Sequence, residues 1–197
     1  MTVPATLRDE PKWGTLVKLV KELAFLDGGH DEAFKLASGR TSRWFFDMKP
    51  VMMHPEAGRI IGELINKRAD IIGADFVGGL ELGAVPLTAL VIATDHKSDR
   101  LGFMVRKEAK GRGGRKTNNP PGIEGTSIIG GGDVIILEDV TTTGGSAIKA
   151  VQRIENETAC KVVSVISILD REEGGAEAFA NAGIPFESLL VRSDISR

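Results

Sequence analysis

Apolar residues recur at helical spacing through Leu16, Val17, Leu19, Val20, Leu23 and Ala24, with Lys18, Lys21 and Glu22 between them, and predict an amphipathic helix opening at Trp13. Ala33-Phe34-Lys35-Leu36-Ala37 and Arg43-Trp44-Phe45-Phe46-Asp47 flank the polar Ser38-Gly39-Arg40-Thr41-Ser42 and predict two short strands joined as a hairpin. Pro55 suits a first helical turn, and Ala57, Ile60, Ile61, Leu64 and Ile65 mark one apolar face after it. From Asp75 strands and helices alternate. Strands are expected at 75–79, 101–105, 162–169 and 186–191, and helices through Pro86 to Ile92, from Gly145 to Glu157 and at 176–180. Val134-Ile135-Ile136-Leu137 is apolar at every position, as in a parallel strand covered on both faces. Such alternation implies βαβ units and right-handed crossovers, hence an open, mostly parallel α/β sheet flanked by helices.

Composition narrows this reading. A chain of 197 residues is long enough for one sizeable core, so residues 1–197 are read as a single domain. Hydrophobic residues make up 42%, ordinary for a globular protein. The formal net charge of -2 argues against a dedicated nucleic-acid binder. No apolar run approaches the roughly 20 residues that cross a bilayer, so no membrane span is expected. One cysteine, Cys160, and an N-terminus without a basic, then apolar, leader suit the cytoplasm.

Ligands of open α/β sheets lie beyond the carboxyl ends of strands, which directs attention to Glu138-Asp139-Val140-Thr141-Thr142-Thr143-Gly144-Gly145-Ser146. Ionised groups at the end of a buried strand are costly unless paired. Glycines allow close backbone approach, and free N–H groups at a helix start favour an anion such as phosphate. The hydroxyls of Thr141, Thr142, Thr143 and Ser146 can add hydrogen bonds, and the carboxylates suit a diol. Phosphate and diol together describe a ribose 5-phosphate. A capped helix preceded by two solvated acids is the bland alternative. A nucleoside-triphosphate P-loop fails, because Gly145 is followed by Ser146 where that motif needs lysine.

Residues 106–116 carry six basic residues against one acid, and the segment that follows is rich in Gly, Asn and Pro. The whole stretch, 107–125, reads as a long mobile loop, either a lid that neutralises pyrophosphate and excludes water or a solvated basic loop.

Together these residues resemble the 5-phosphoribosyl 1-diphosphate (PRPP) motif of type I phosphoribosyltransferases. Arg106-Lys107-Glu108-Ala109-Lys110 and the 36–46 segment are similar to the orotate phosphoribosyltransferases. The resemblance implies the type I phosphoribosyltransferase fold with a small N-terminal hood (1–50). It implies transfer of ribose 5-phosphate from PRPP to orotate, giving orotidine 5'-monophosphate and pyrophosphate in pyrimidine biosynthesis. It also implies Mg²⁺, held mainly through PRPP and water. By the same resemblance Glu138 and Asp139 meet the ribose hydroxyls, and Val140 and Thr141 through Ser146 bind PRPP. Lys107 takes pyrophosphate in its own subunit, while Arg106 and Lys110 reach the partner's site in a homodimer. Phe45, Phe46, Thr142 and Arg171 bind orotate, and Glu138, Asp139, Lys107 and Lys110 form the catalytic set. Gly78-Gly79-Leu80-Glu81-Leu82-Gly83 resembles the pyrophosphate loop. Ala37, Leu82 and Arg112 depart from the family pattern, standing where some members have lysine, lysine and histidine. A phosphoribosyltransferase for another base would share the turn, as would a non-catalytic regulator that senses PRPP or binds RNA.

Overall fold

The computed structural model describes residues 2–31, 33–35, 39, 41–97, 99–108 and 116–196. The chain opens with helices α1 (Ala5–Arg8) and α2 (Trp13–Leu23), then short strands β1 (Phe25–Asp27), β2 (Phe34–Lys35), β3 (Thr41–Ser42) and β4 (Trp44–Phe46) and helix α3 (Lys49–Met52). Helix α4 (Pro55–Ile72) leads to the alternating part: β5 (Phe76–Leu80), α5 (Ala84–Ala93), β6 (Leu101–Val105), β7 (Ile123–Gly125) and β8 (Gly132–Thr141). It continues as α6 (Gly145–Glu157), β9 (Cys160–Asp170), α7 (Gly175–Asn181), β10 (Phe186–Val191) and α8 (Arg192–Ile195).

Local chemistry accounts for the longest helix. The His54 ring accepts a hydrogen bond from the backbone N–H of Ala57 at 3.3 Å, Pro55 occupies the first turn, and Gly73, at φ 85°, ends the helix in the left-handed conformation. Strands β10, β9, β8, β5, β6 and β7 form the main sheet in that order; only the β6–β7 pair is antiparallel. The apolar run of β8 feeds both faces, as alternation along a strand requires. Ile135 and Leu137 join a core with α2, α4 and β10, whereas Val134 and Ile136 join one with α6 and Phe179. Among the described residues no helix is long and apolar enough to cross a membrane.

Two expectations change. The strand at 44–46 pairs with β1, setting Phe25 opposite Phe46, while Phe34 and Lys35 pair with Ser42 and Thr41. The Phe25 and Phe46 rings lie 5.2 Å apart across that pairing, and the Phe34 and Phe45 rings still meet at 5.8 Å. Leu36, Ala37, Ser38 and Arg40 lie outside the described residues. Strand β8 also runs past Leu137 to Thr141, because β9 keeps supplying partners: Ser167 for Glu138, Leu169 for Val140 and Asp170 for Thr141. The acids are therefore inside a strand rather than beyond it.

Candidate active site

A cavity of about 400 Å³ opens at the carboxyl ends of β8 and β9, lined by Phe45, Phe46, Glu138, Val140, the turn through Ser146, and Arg171. The turn and the two aromatic residues, distant in sequence, therefore share one space. Glu138 and Val140 line it and Asp139 between them does not, as strand alternation dictates. A Cβ on Gly83 would overlap the Asp139 carboxylate, so the 81–83 turn is packed directly on that acid.

Among the described residues neither acid has an ion-pair partner in contact with it. Glu138 Oε2 is buried without a hydrogen-bond partner, and burial, reinforced by the Asp139 charge and opposed by Lys107, pushes the Glu138 carboxyl up to about 8. Burial likewise raises Asp139. Its Oδ1 accepts the Val140 N–H at 2.9 Å, and this bond, with the charge of Lys49, pulls the other way. An orphaned buried carboxylate oxygen in a cavity is what a donor-rich ligand would satisfy.

Beyond the acids, Gly144 turns the chain at φ 77°, which favours glycine, and α6 begins. No side chain caps this helix and its first turn carries no acid, so its leading N–H groups remain available to an anion. The Thr141 hydroxyl is buried and unpartnered.

On the other side stands Arg171, whose side chain is 4% exposed. Its Nη2 donates to Ser42 Oγ at 2.9 Å and to the Trp44 carbonyl at 3.0 Å, and lies 2.8 Å from Glu173 Oε1. Its Nε is buried without a partner, and its backbone N–H donates to the Thr141 carbonyl. Arg192 reinforces this wall, donating from Nε to the Arg171 carbonyl and lying 4.5 Å from the Trp44 ring.

Arg106 and Lys107 follow β6 and do not line the cavity. Lys107 N–H donates to Glu81 Oε1 at 2.9 Å, and Arg106 Nη1 sits 3.6 Å from both Glu81 and Glu124, which ties the start of the basic segment to the 81–83 turn. Arg153 of α6 donates to the carbonyls of Arg106 and Pro121, at 2.9 and 2.7 Å, and the Arg106 N–H donates to the Gly122 carbonyl. Leu82 is exposed. Lys110 and Arg112 lie outside the described residues, as does the 109–115 part of the expected lid.

Sequence reasoning missed Lys49 and Glu173, and it named Glu81 and Gly83 only within the pyrophosphate-loop resemblance, without their contacts to Lys107, Arg106 and Asp139. Lys49 gave a faint signal, a cation three residues after the aromatic pair; the others act through contacts made only by folding. Among the described residues no group of three His, Cys, Asp or Glu side chains could hold a metal by itself.

Comparison with known proteins adds an independent line. A family model described as Phosphoribosyl transferase domain matches residues 51–181. The chain is 42% identical to an orotate phosphoribosyltransferase of Rhodopseudomonas palustris (strain BisB18) over 161 residues, which cover 81% of this chain and 84% of that protein. It is 36% identical to that of Corynebacterium glutamicum (strain R) over 91% of both chains. Its fold resembles the crystal structure of Mycobacterium tuberculosis H37Rv orotate phosphoribosyltransferase in complex with PRPP, at a TM-score of 0.75 and 29% identity, covering 95% of this chain and all of that one.

Proposed function

The chain belongs to the orotate phosphoribosyltransferases, within the phosphoribosyl transferase domain family, and on that premise we propose how its cleft divides the work. The reaction is transfer of ribose 5-phosphate from PRPP to orotate, yielding orotidine 5'-monophosphate and pyrophosphate in pyrimidine biosynthesis. The single observation that carries the division is the unpartnered Glu138 Oε2, in a cavity bounded by the 142–146 turn at one side and Arg171 at the other.

In this reading the 5-phosphate rests on the N–H groups and hydroxyls from Thr142 to Ser146, and a ribose hydroxyl donates to Glu138. Asp139 supports the sugar from beside Gly83. The diphosphate points toward the 81–83 turn and Lys107, and Lys110 and Arg106 act on the site of a partner subunit in a homodimer. Orotate lies against Phe45, Phe46 and Thr142 with its carboxylate toward Arg171, a pairing of a buried cation with an anionic base. The bond from the anomeric carbon to the diphosphate oxygen breaks with its electron pair on pyrophosphate. Ring nitrogen N1 of orotate, losing its proton to water, forms the new bond. Carboxylates near the sugar favour the positive charge that develops at the anomeric carbon.

Magnesium suits this arrangement as an ion carried by oxygens of PRPP and by water, with Glu138 and Asp139 the carboxylates available to its water shell. Bound there, it would neutralise the diphosphate. A cytoplasmic setting agrees with the one cysteine, Cys160, buried and free.

Pyrophosphate release from PRPP and Mg²⁺, measured with orotate, uracil, adenine and hypoxanthine, tests the reading. Release with orotate alone is expected; release with another base and none with orotate overturns the base assignment. Mixing Lys110→Ala with Asp139→Asn protein tests the shared lid, since a hybrid dimer would regain one complete site. Activity no higher than that of either parent would remove it.

A further inference from the structure

An arginine that receives a substrate carboxylate is expected to meet it with an uncompensated charge, and Arg171 does not. Glu173 Oε1 stands 2.8 Å from its Nη2. Glu173 is itself only 17% exposed and is absent from the cavity lining, so this acid approaches the guanidinium from outside the cavity. The chain is shaped to deliver it. Glu172 adopts φ 57°, a left-handed conformation uncommon for a residue other than glycine. Its carboxylate turns away to accept from the N–H and hydroxyl of Ser193, at 2.9 and 3.1 Å, beside Arg192. Two successive acids thus go to different partners, and one of them reaches Arg171. Meanwhile Arg171 Nε is buried with nothing to donate to.

The chemistry of the reaction gives this counter-ion a purpose. The carboxylate of orotate is unchanged by glycosyl transfer, so its attraction to Arg171 is the same in substrate, transition state and product. An interaction of that kind deepens binding without lowering the barrier, and an uncompensated buried cation would retain the product. We infer that Glu173 is a specificity-determining residue that sets how tightly Arg171 holds the carboxylate shared by orotate and its nucleotide product. The inference rests on the reading that orotate faces Arg171.

Glu173→Gln isolates the charge, because the amide oxygen can still accept from Nη2. Removing one like charge near the substrate carboxylate is expected to lower the KM for orotate and the dissociation constant of orotidine 5'-monophosphate by the same factor, roughly five- to tenfold. The KM for PRPP is expected to stay put. Glu173→Asp, which keeps the charge, is expected to bind orotidine 5'-monophosphate as the unmodified protein does. Weaker product binding in Glu173→Gln, a KM for PRPP that moves with that for orotate, or an aspartate variant that reproduces the glutamine effect would each overturn the inference and leave Glu173 a loop-positioning residue. Arg171→Met separates the two levels. If it leaves the KM for orotate unchanged, the base-side reading is wrong whatever Glu173 does.

Discussion

Two buried charged clusters occupy opposite ends of one sheet, and they are treated in opposite ways. Just before β6, the Arg100 side chain is 4% exposed. It donates to Asn66 Oδ1 at 2.7 Å, Asp70 Oδ1 at 2.8 Å and the Ala74 carbonyl at 3.3 Å, with Asp95 3.6 Å away. Hydrogen bonds from Arg100 and Lys97 hold the Asp70 carboxyl below its usual range. At the far end of β8, Glu138 has an orphaned oxygen and a carboxyl pushed up to about 8. Burial is common to both clusters; partnership is not. A buried ionisable group with its partners in place holds the fold together, whereas one left without them marks where a ligand completes the structure.

The largest effect expected from breaking this contrast lies at the satisfied end. Arg100→Ala removes the guanidinium from Asn66, Asp70, Asp95 and the Ala74 carbonyl and should cost about 3 kcal/mol of stability in urea unfolding, the usual range for dismantling one side of a buried ion pair. A loss under about 1 kcal/mol would mean that the network is ornamental. At the unsatisfied end the order reverses. Asp139→Asn should lower turnover on the order of 10²-fold without making the protein less stable in urea, and near-normal turnover would remove Asp139 from the machinery.

Glu138→Gln sharpens the same point through pH. The folded-state carboxyl lies above its unfolded value, so its favourable contribution is complete below pH 4.5 and is lost as pH rises through about 8. Ligand-free stability should therefore decline over that window, with Asp139 adding in the same direction. The glutamine variant should be more stable than the parent by on the order of 4 kcal/mol at the alkaline end and equal to it in acid. Parallel pH curves for the two proteins would show that Glu138 is not the cause. The smallest expected signal is a proton. A ribose hydroxyl donating to Glu138 stabilises its charged form, so PRPP binding near pH 7 should release roughly half to one proton, seen as buffer-dependent heats in calorimetry. Proton uptake would contradict it.

How much of this could be read in the sequence depends on how local the cause is. The alternation after Asp75 was legible because each βα unit carries its own periodicity, and helix α6 falls on the expected Gly145 to Glu157. The 138–146 turn was legible because its acids and glycines are contiguous. The N-terminal pairing was not, since strands of two or three residues hold too little pattern to choose a partner, and the Phe25 to Phe46 pairing is settled by three-dimensional packing. The reach of β8 to Thr141 depended on β9, some thirty residues further on in the chain. Arg171 was named through resemblance, but its pairing with Glu173 depends on the backbone of Glu172, which no composition reveals.

Arg153 gives the basic segment an unusual independence. One guanidinium holds the carbonyls of Arg106 and Pro121, and the Arg106 N–H already meets the Gly122 carbonyl. The two roots of the segment are thereby fastened to each other and to α6, and their spacing is held by the scaffold. Closing a longer loop across fixed ends costs only about 0.6 kcal/mol per doubling of length, so insertions there are nearly invisible to the rest of the molecule. That freedom ends at Asn119, which is buried, donates to the Thr126 carbonyl and accepts from the Ile128 N–H, so the Asn- and Pro-rich end of the segment belongs to the scaffold.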